Sequence, residues 1–194
     1  MKEFIKIFTD SAKEFKNLRS VVTVALLIAL HTVMAMFLSI QVTSSLRISL
    51  SFLANCIIGC MYGPVMGFVA GGLGDIIQFI LKPTGPYFVG WTLSAALACM
   101  IYGCFFYGTF KKQEGKNEKK LFDIRFFVRC ATALTFDTIL INILLGTCWV
   151  SFMYGKGFAF YLTSRFIKNA VQLPINIILT YYVLSVVRKL RIHK

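Results

Sequence analysis

Residues 48–81 read ISLSFLANCIIGCMYGPVMGFVAGGLGDIIQFIL and contain a single charged side chain, Asp75. The stretch is too long for one membrane crossing, because about 20 apolar residues already span the hydrocarbon core. Gly63 and Pro64 stand near its middle, and this pair of residues is typical of a turn. We therefore predict two antiparallel spans joined by a true reversal of the chain at Gly63-Pro64, and not one kinked helix.

The composition places the whole chain in lipid. Hydrophobic residues make up 57% of the 194 residues, phenylalanine alone occurs 19 times, and the mean hydropathy is +0.72. Charged residues account for 15%, whereas soluble domains carry about 25%. The sequence therefore predicts an all-α integral membrane protein.

Positive charge sets the number of spans and their orientation. Most of the 21 lysines and arginines fall in three polar segments, at residues 1–19, at 111–125 and after 187. Six crossings put all three segments on one side, which the positive-inside rule identifies as the cytoplasm, whereas five crossings would leave one segment outside. The predicted spans are 21–40, 48–62, 65–81, 87–108, 126–150 and 163–187.

This topology predicts one membrane domain over residues 1–194 in the cell membrane, with both termini cytoplasmic. Residues 1–19 form an amphipathic cytoplasmic segment, and residues 111–125 form a charged cytoplasmic loop. The net charge of +13 does not indicate nucleic-acid binding, because the cations flank apolar spans and do not line a basic groove.

The last span carries a polar stripe. Its members are Arg165, Lys168, Asn169, Gln172 and Asn176. Steps of three and four residues place 165, 169, 172 and 176 on one helical face, with 168 beside them. Polar groups within a membrane usually face a cavity or a partner. We favour a ligand-facing stripe over snorkelling cations and helix–helix hydrogen bonds.

Other spans also carry polar side chains: Asp75, Gln78, Asp137 and Asn142. A carboxylate in lipid is costly unless it is paired or solvated. Each aspartate therefore pairs with a cation such as Arg47 or Arg165, or else faces a ligand, and the sequence leaves both possibilities open.

Aromatic residues open the fourth span. Tyr87 is typical of the aromatic belt at a membrane interface. Trp91 lies one turn deeper, where it could stack on a planar ligand, and Phe88 is a second candidate for this role.

Little in the sequence indicates a catalytic site or a metal-binding site. The six cysteines all lie in apolar spans, where they behave as small hydrophobes. No histidine or second cysteine pair completes a zinc site around Cys56 and Cys60. His31 lies on an apolar helix, and the chain lacks GxSxG and HExxH motifs. We therefore expect no metal, no cofactor and no catalytic activity.

Small residues form two close-packing patterns. Ala25 and Ala29 make an AxxxA pair in the first span, and Gly63, Gly67 and Gly71 recur every four residues. Such faces let helices approach closely. The glycine row is expected to pack within the protein.

Taken together, these segments resemble the substrate-binding S component of energy-coupling factor (ECF) vitamin transporters, of the folate type. The likeness covers nearly the whole chain, and it is carried by four segments in the same order: Arg47-Ile-Ser-Leu-Ser-Phe-Leu, Gly63-Pro-Val-Met-Gly-Phe-Val-Ala-Gly-Gly-Leu-Gly-Asp75, Gly85-Pro-Tyr-Phe-Val-Gly-Trp91 and Arg165-Phe-Ile-Lys-Asn169.

The resemblance implies six helices and a vitamin site near the extracellular side. It also implies partners, namely a membrane coupling subunit (EcfT) and two ABC ATPases, with Ala25 and Ala29 as the docking face. The chain itself has no GxxxxGK[ST] loop for ATP. An S component for another vitamin and a small standalone transporter remain the alternatives.

Folate would account for the polar groups. Its glutamate tail carries two carboxylates, which suit cations; the candidates are Arg47, Arg165 and Lys168. Its pterin edge suits a carboxylate or an amide, and its rings suit aromatic neighbours. The remaining candidates are Asp75, Gln78 and Asn169 for the polar edge and Trp91, Phe88 and Tyr87 for stacking, with Gln172 as a further substrate-binding residue.

Overall fold

The computed structural model describes residues 2–37, 39–41, 47–83, 87–112, 123–155 and 158–192. The loops 84–86 and 113–122 and the Arg47 side chain lie outside the described part. The elements in chain order are α1 (Lys2–Lys13), a 3-10 turn (Glu14–Lys16), α2 (Leu18–Phe37), β1 (Ser39–Gln41), β2 (Arg47–Ser49), α3 (Phe52–Leu81), α4 (Val89–Lys112), α5 (Ile124–Asp137), a π-helical segment (Thr138–Leu145), α6 (Gly146–Tyr154) and α7 (Phe158–Ile192).

Five helical stretches are long and apolar enough to cross a membrane: Leu18–Phe37, Phe52–Leu81, Val89–Tyr107, Ile124–Met153 and Tyr161–Arg188. The fourth stretch runs through α5, the π-helical segment and α6, which together form one long rod. The second stretch is exceptional, because α3 does not run straight.

Gly63 reverses the chain inside α3. Its φ of +84° and ψ of −173° are not helical. The Cys99 thiol donates a hydrogen bond to the Asn55 carbonyl at 3.2 Å, and a Cβ added to Gly71 would lie 2.9 Å from the Cys99 Cβ. In a straight helix residues 55 and 71 would be about 24 Å apart, so one cysteine could not contact both. The predicted reversal is confirmed, and the fold has six membrane helices.

The first arm of α3, residues 52–62, is short. Its 11 residues rise about 16 Å, roughly half the thickness of the hydrocarbon core. The prediction of a span from residue 48 is wrong at its start, because Ser49, Ile48 and Arg47 pair with Ser39, Ile40 and Gln41 in an antiparallel ribbon. This ribbon is the one departure from the all-helical prediction within the described residues.

The second arm of α3, residues 64–81, packs tightly along α4. A Cβ added to Gly67 would lie 2.9 Å from the Cys99 carbonyl oxygen, and one added to Gly103 would lie 2.5 Å from the Pro64 nitrogen. The glycine row therefore packs within the protein, as its spacing predicts, because the two backbones leave no room for side chains.

Helix ends and positive charges collect at one end of the bundle, which we call the basic end. Ser11 on α1 hydrogen bonds to Tyr62 beside the α3 turn, and α4 ends near the same turn. Phe106 near the end of α4 packs on Phe126 at the start of α5, with ring centroids 6.4 Å apart. Arg188 near the end of α7 lies over that same ring at 5.5 Å. By the positive-inside rule this end faces the cytoplasm.

Candidate functional site

A cavity of about 410 Å³ lies between α7 and the rod formed by α5, the π-helical segment and α6. Its walls are formed by Thr138, Asn142, Val150, Tyr161, Arg165, Lys168, Asn169, Gln172, Leu173 and Asn176. Arg165 precedes Arg188 by 23 residues, or about 35 Å of helix. The cavity therefore lies in the half of the bundle away from the basic end, on the predicted extracellular side.

The polar stripe of α7 forms one wall of this cavity. All five of its members face the cavity: Arg165, Lys168, Asn169, Gln172 and Asn176. The Asn169 amide also donates to the Arg165 carbonyl at 2.9 Å, which is one turn of the same helix. The helical spacing seen in the sequence thus turns two cations and three amides toward the same space.

Arg165 contacts three other elements, namely the π-helical segment, α4 and α6. Its Nη1 donates to the backbone carbonyl of Asn142 at 3.0 Å, and its Cζ lies 5.5 Å from the centroid of the Trp91 ring. A side chain at Gly146 would overlap the guanidinium, so the glycine is what gives Arg165 its room. Trp91 therefore contacts the cation and does not itself line the cavity.

The π-helical segment presents Asn142 to the cavity. Short π-helical stretches are rare and occur often at functional sites. Here the segment Thr138–Leu145 supplies two wall residues, Thr138 and Asn142. The Asn142 carbonyl accepts from Arg165, and its side-chain Nδ2 donates to Asp137 at 3.3 Å. One residue thus links the cation to the buried carboxylate behind it.

Asp137 is buried behind Asn142 and is only 4% exposed. Its Oδ2 accepts from the Tyr102 hydroxyl at 2.9 Å as well as from Asn142. The structure thus answers the question left open by the sequence: Tyr102 and Asn142, and not Arg165, are the hydrogen-bond partners described for this carboxylate. Because Asn142 donates its amide protons toward Asp137, its side-chain oxygen remains available as an acceptor.

Two buried oxygens near the cavity floor have no hydrogen-bond partner among the described residues. They are Asp137 Oδ1 and Asn176 Oδ1. A buried polar atom without a partner costs about 1–3 kcal/mol. Neither oxygen is accessible from the cavity, because both atoms are buried within the protein.

Three other predicted site residues lie away from the cavity wall. Asp75 accepts from the Thr92 hydroxyl at 2.7 Å, and Thr92 in turn is 3.0 Å from the Tyr87 hydroxyl, so this network ties α3 to α4. Phe88 packs edge-on against Trp149, with centroids 5.5 Å apart. Gln78 is partly buried on the same arm as Asp75 and is not a wall residue. The Arg47 side chain lies outside the described residues.

Several wall residues were not among the predicted ones. Asn142 is predicted only as a polar position inside a span, whereas Asn176 already belongs to the polar stripe that we expect to face a ligand. Thr138, Val150 and Tyr161 carry no signal in the sequence, because only the packing of α7 against the π-helical segment brings them to the cavity.

The AxxxA pair lies on the outer surface of α2. Ala25 and Ala29 are both exposed, whereas Val24 and Ile28 on a neighbouring face are buried in a cluster with residues of α3 and Cys99 of α4. The pair therefore makes no close packing contact within the described bundle and stays available to another chain.

A cation- and amide-lined cavity within six membrane helices defines a membrane protein that binds a small polar molecule. Comparison with known proteins identifies the class: residues 19–184 match the family described as "ECF transporter, substrate-specific component". The chain belongs to this family, and it is therefore a component of a transporter and not an enzyme.

Individual relatives agree with the family. The chain is 32% identical over 177 residues to the folate transporter FolT of Clostridium novyi (strain NT), covering 91% of this chain and 94% of the relative. It is 27% identical over 172 residues to the folate transporter FolT of Leuconostoc mesenteroides, covering 86% and 85%. A crystal structure of FolT bound with folic acid superposes with a TM-score of 0.70 at 33% identity, covering 86% of this chain and 93% of that one.

Proposed function

We propose that this protein binds folate in the cavity beside α7 and serves as the folate-specific S component of an ECF importer in the cell membrane. The observation that carries the proposal is the α7 wall, where Arg165 and Lys168 lie beside three amides. A volume of about 410 Å³ falls within the range of roughly 300–1,000 Å³ found for small-molecule sites. The names of the relatives point to the same ligand.

The cations suit the glutamate tail of folate. Arg165 offers a planar guanidinium for a bidentate contact, and Lys168 offers a point charge one turn along the wall. Trp91 supports this role indirectly, because the centroid of its ring lies 5.5 Å from the Arg165 Cζ and the contact holds the guanidinium in place. Arg47 stays a predicted third cation.

The amide side chains of the cavity wall suit the polar edge of the pterin. Of the predicted polar partners, Asn169 and Gln172 line the cavity, whereas Asp75 and Gln78 do not. Asn142 and Asn176 are the additional candidates, because both line the same cavity. Asp137 would orient Asn142 through their 3.3 Å hydrogen bond.

Delivery of the vitamin requires other chains, because this one carries no ATP-binding loop. We infer that the exposed Ala25–Ala29 face of α2 docks on a membrane coupling subunit that is driven by two ABC ATPases. Small residues let a partner helix approach closely, and both alanines are exposed.

Folate binding is tested with the purified chain and no ATP. Calorimetric titration should show saturable binding, and mass spectrometry should identify folate as the co-purified ligand. Arg165→Ala or Lys168→Ala should each weaken binding by about 1.5–3 kcal/mol, the value of a hydrogen bond to a charged group. Lys82→Ala is the matched control, because Lys82 is an exposed cation at the end of α3 and outside the cavity. Unchanged affinity in both cavity variants would refute the proposed tail site.

Docking is tested separately by transport. Ala25→Trp and Ala29→Trp should abolish ATP-driven uptake in vesicles that contain the coupling subunit and ATPases, while folate binding to the isolated chain persists. Ala170→Trp, at an exposed position on α7, should leave uptake normal. Normal uptake by the α2 variants would exclude this face as the docking surface.

A further inference from the structure

The helix α1 has a surface that the transport function does not explain. It precedes residues 19–184, which define the family match, and it leaves apolar and cationic side chains exposed side by side. We propose that this surface of α1 binds the anionic phospholipid headgroups of the membrane leaflet at the basic end.

The position of α1 places it at the lipid–water interface. α2 spans the membrane from Leu18, and the chain bends between the two helices at Asn17, whose φ of −92° and ψ of 108° are extended. The Ser20 hydroxyl donates to the Glu14 carboxylate at 2.6 Å across this bend. Because Ser11 then fixes α1 to the turn of α3, α1 lies across the end of the bundle and does not continue α2 into the cytoplasm.

The anchoring of α1 is specific and buried. Ser11 is 0% exposed, and its hydroxyl donates to the Tyr62 carbonyl at 2.7 Å. The same oxygen accepts from the amides of Val65 and Met66 at 3.1 and 3.2 Å. Pro64 has no N–H, so these are the first amides of the second arm of α3, and Ser11 acts as their N-cap from another helix.

The outward side of α1 combines the two features of an interfacial helix. Three apolar side chains of α1 and of the bend that follows it are exposed: Ile5 on α1 at 62%, Phe15 in the 3-10 turn at 40% and Leu18 at the start of α2 at 76%. The cations Lys6 and Lys13 are exposed on the same short segment. Apolar residues that reach the acyl boundary, with lysines at headgroup level, are characteristic of helices that lie on an anionic membrane.

The two acidic side chains that the structure describes in this segment, Asp10 and Glu14, do not cancel the positive surface. Glu14 is partly buried and engaged by Ser20. The Asp10 side chain is only 19% exposed, whereas that of its ion-pair partner Lys13 is 72% exposed at a distance of 3.9 Å. The exposed charge is therefore positive, and it complements lipid phosphates and not another cationic surface.

The test compares amide hydrogen exchange of α1 in the full chain reconstituted in vesicles of POPC alone and of POPC mixed with POPG. Each lysine near an anionic surface contributes about a fivefold factor in binding, so with Lys6 and Lys13 together the α1 amides should exchange up to about 25-fold more slowly in POPC/POPG. High salt should remove this difference, because it screens exposed charges.

Two double variants isolate the lysines. Lys6→Gln with Lys13→Gln should exchange in α1 at nearly the same rate in both vesicles. Lys82→Gln with Arg125→Gln removes two exposed cations outside α1 and should keep the full difference. Exchange of residues 64–81 reports on the fold of each variant, and the salt dependence of the unmodified protein tests the proposal even if a variant misfolds.

The proposal is overturned if POPG does not slow exchange in the unmodified protein. It is also overturned if the Lys6/Lys13 variant keeps the full effect of POPG. Protection of α1 that arises only when the coupling subunit is added would assign this surface to a protein partner. None of these outcomes depends on folate binding, which a parallel titration measures.

Discussion

Removing the Ser11 hydroxyl should destabilise the protein far more than removing an ordinary surface hydroxyl. Ser11→Ala leaves three polar groups without their described partner: the Tyr62 carbonyl and the amides of Val65 and Met66. Ser11 is fully buried, so water cannot replace the hydroxyl without a rearrangement. Loss of the N-cap on the two amides costs about 1 kcal/mol, and the orphaned Tyr62 carbonyl costs about 1–3 kcal/mol more. We expect a loss of about 2–4 kcal/mol in the free energy of unfolding.

The assay is equilibrium unfolding in mixed detergent micelles, followed by helical circular dichroism. Thr9→Ala is the matched control, because the Thr9 hydroxyl bonds to the Ile5 carbonyl within the same helix at 2.7 Å and is exposed. The control should change stability by less than about 0.5 kcal/mol. Amide exchange should also accelerate selectively at Val65 and Met66 in the Ser11 variant. A stability loss no larger than that of the control would refute the idea that α1 caps the α3 turn.

Four further variants probe the site and the turn. Gly146→Ala should weaken folate binding by about 1.5–3 kcal/mol in calorimetry, because the new methyl group displaces the Arg165 guanidinium; wild-type affinity would exclude that displacement. Trp91→Leu should cost about 0.5–2 kcal/mol in the same titration, the value of the lost cation–π contact, and no change would mean that Trp91 does not hold the cation. Asn142→Ala should lower folate affinity more than Thr92→Val, which breaks only the Asp75 network outside the cavity; the reverse order would move the site to α3 and α4. Gly63→Ala should lower the unfolding free energy by more than about 1 kcal/mol. The φ of Gly63 is +84°, and the new Cβ would lie 2.8 Å from the Ser11 hydroxyl. An unchanged unfolding curve would contradict the strained turn.

The sequence predicted the reversal at Gly63 because two independent signals agreed. The Gly-Pro pair indicated a turn, and the distribution of lysines and arginines required an even number of crossings. The ribbon β1–β2 carried no comparable signal, since its strands are three residues each and their apolar residues merge with the neighbouring spans. Short strands are set by pairing across the chain, which periodicity within one segment does not reveal.

The α7 wall was predictable for a related reason. Arg165, Asn169, Gln172 and Asn176 share a face by helical geometry alone, so their convergence required no tertiary information. Asp75 shows the limit of this reasoning. Its polarity within a span is explained by Thr92 on the next helix, and only the packing of α3 on α4 separates a satisfied carboxylate from one that faces a ligand.

The helix that carries the binding residues is also the least buried of the five long apolar stretches. In its most apolar window of 18 residues 11% are buried, compared with 61% in the corresponding window of α3. A bound molecule that contacts α7 on one side and Asn142 on the other would add a cross-link to the hydrogen bond that Arg165 already makes with the Asn142 carbonyl. Occupancy of the cavity should therefore make α7 more rigid, so that the slow motions of α7 differ between the free and the ligand-bound protein.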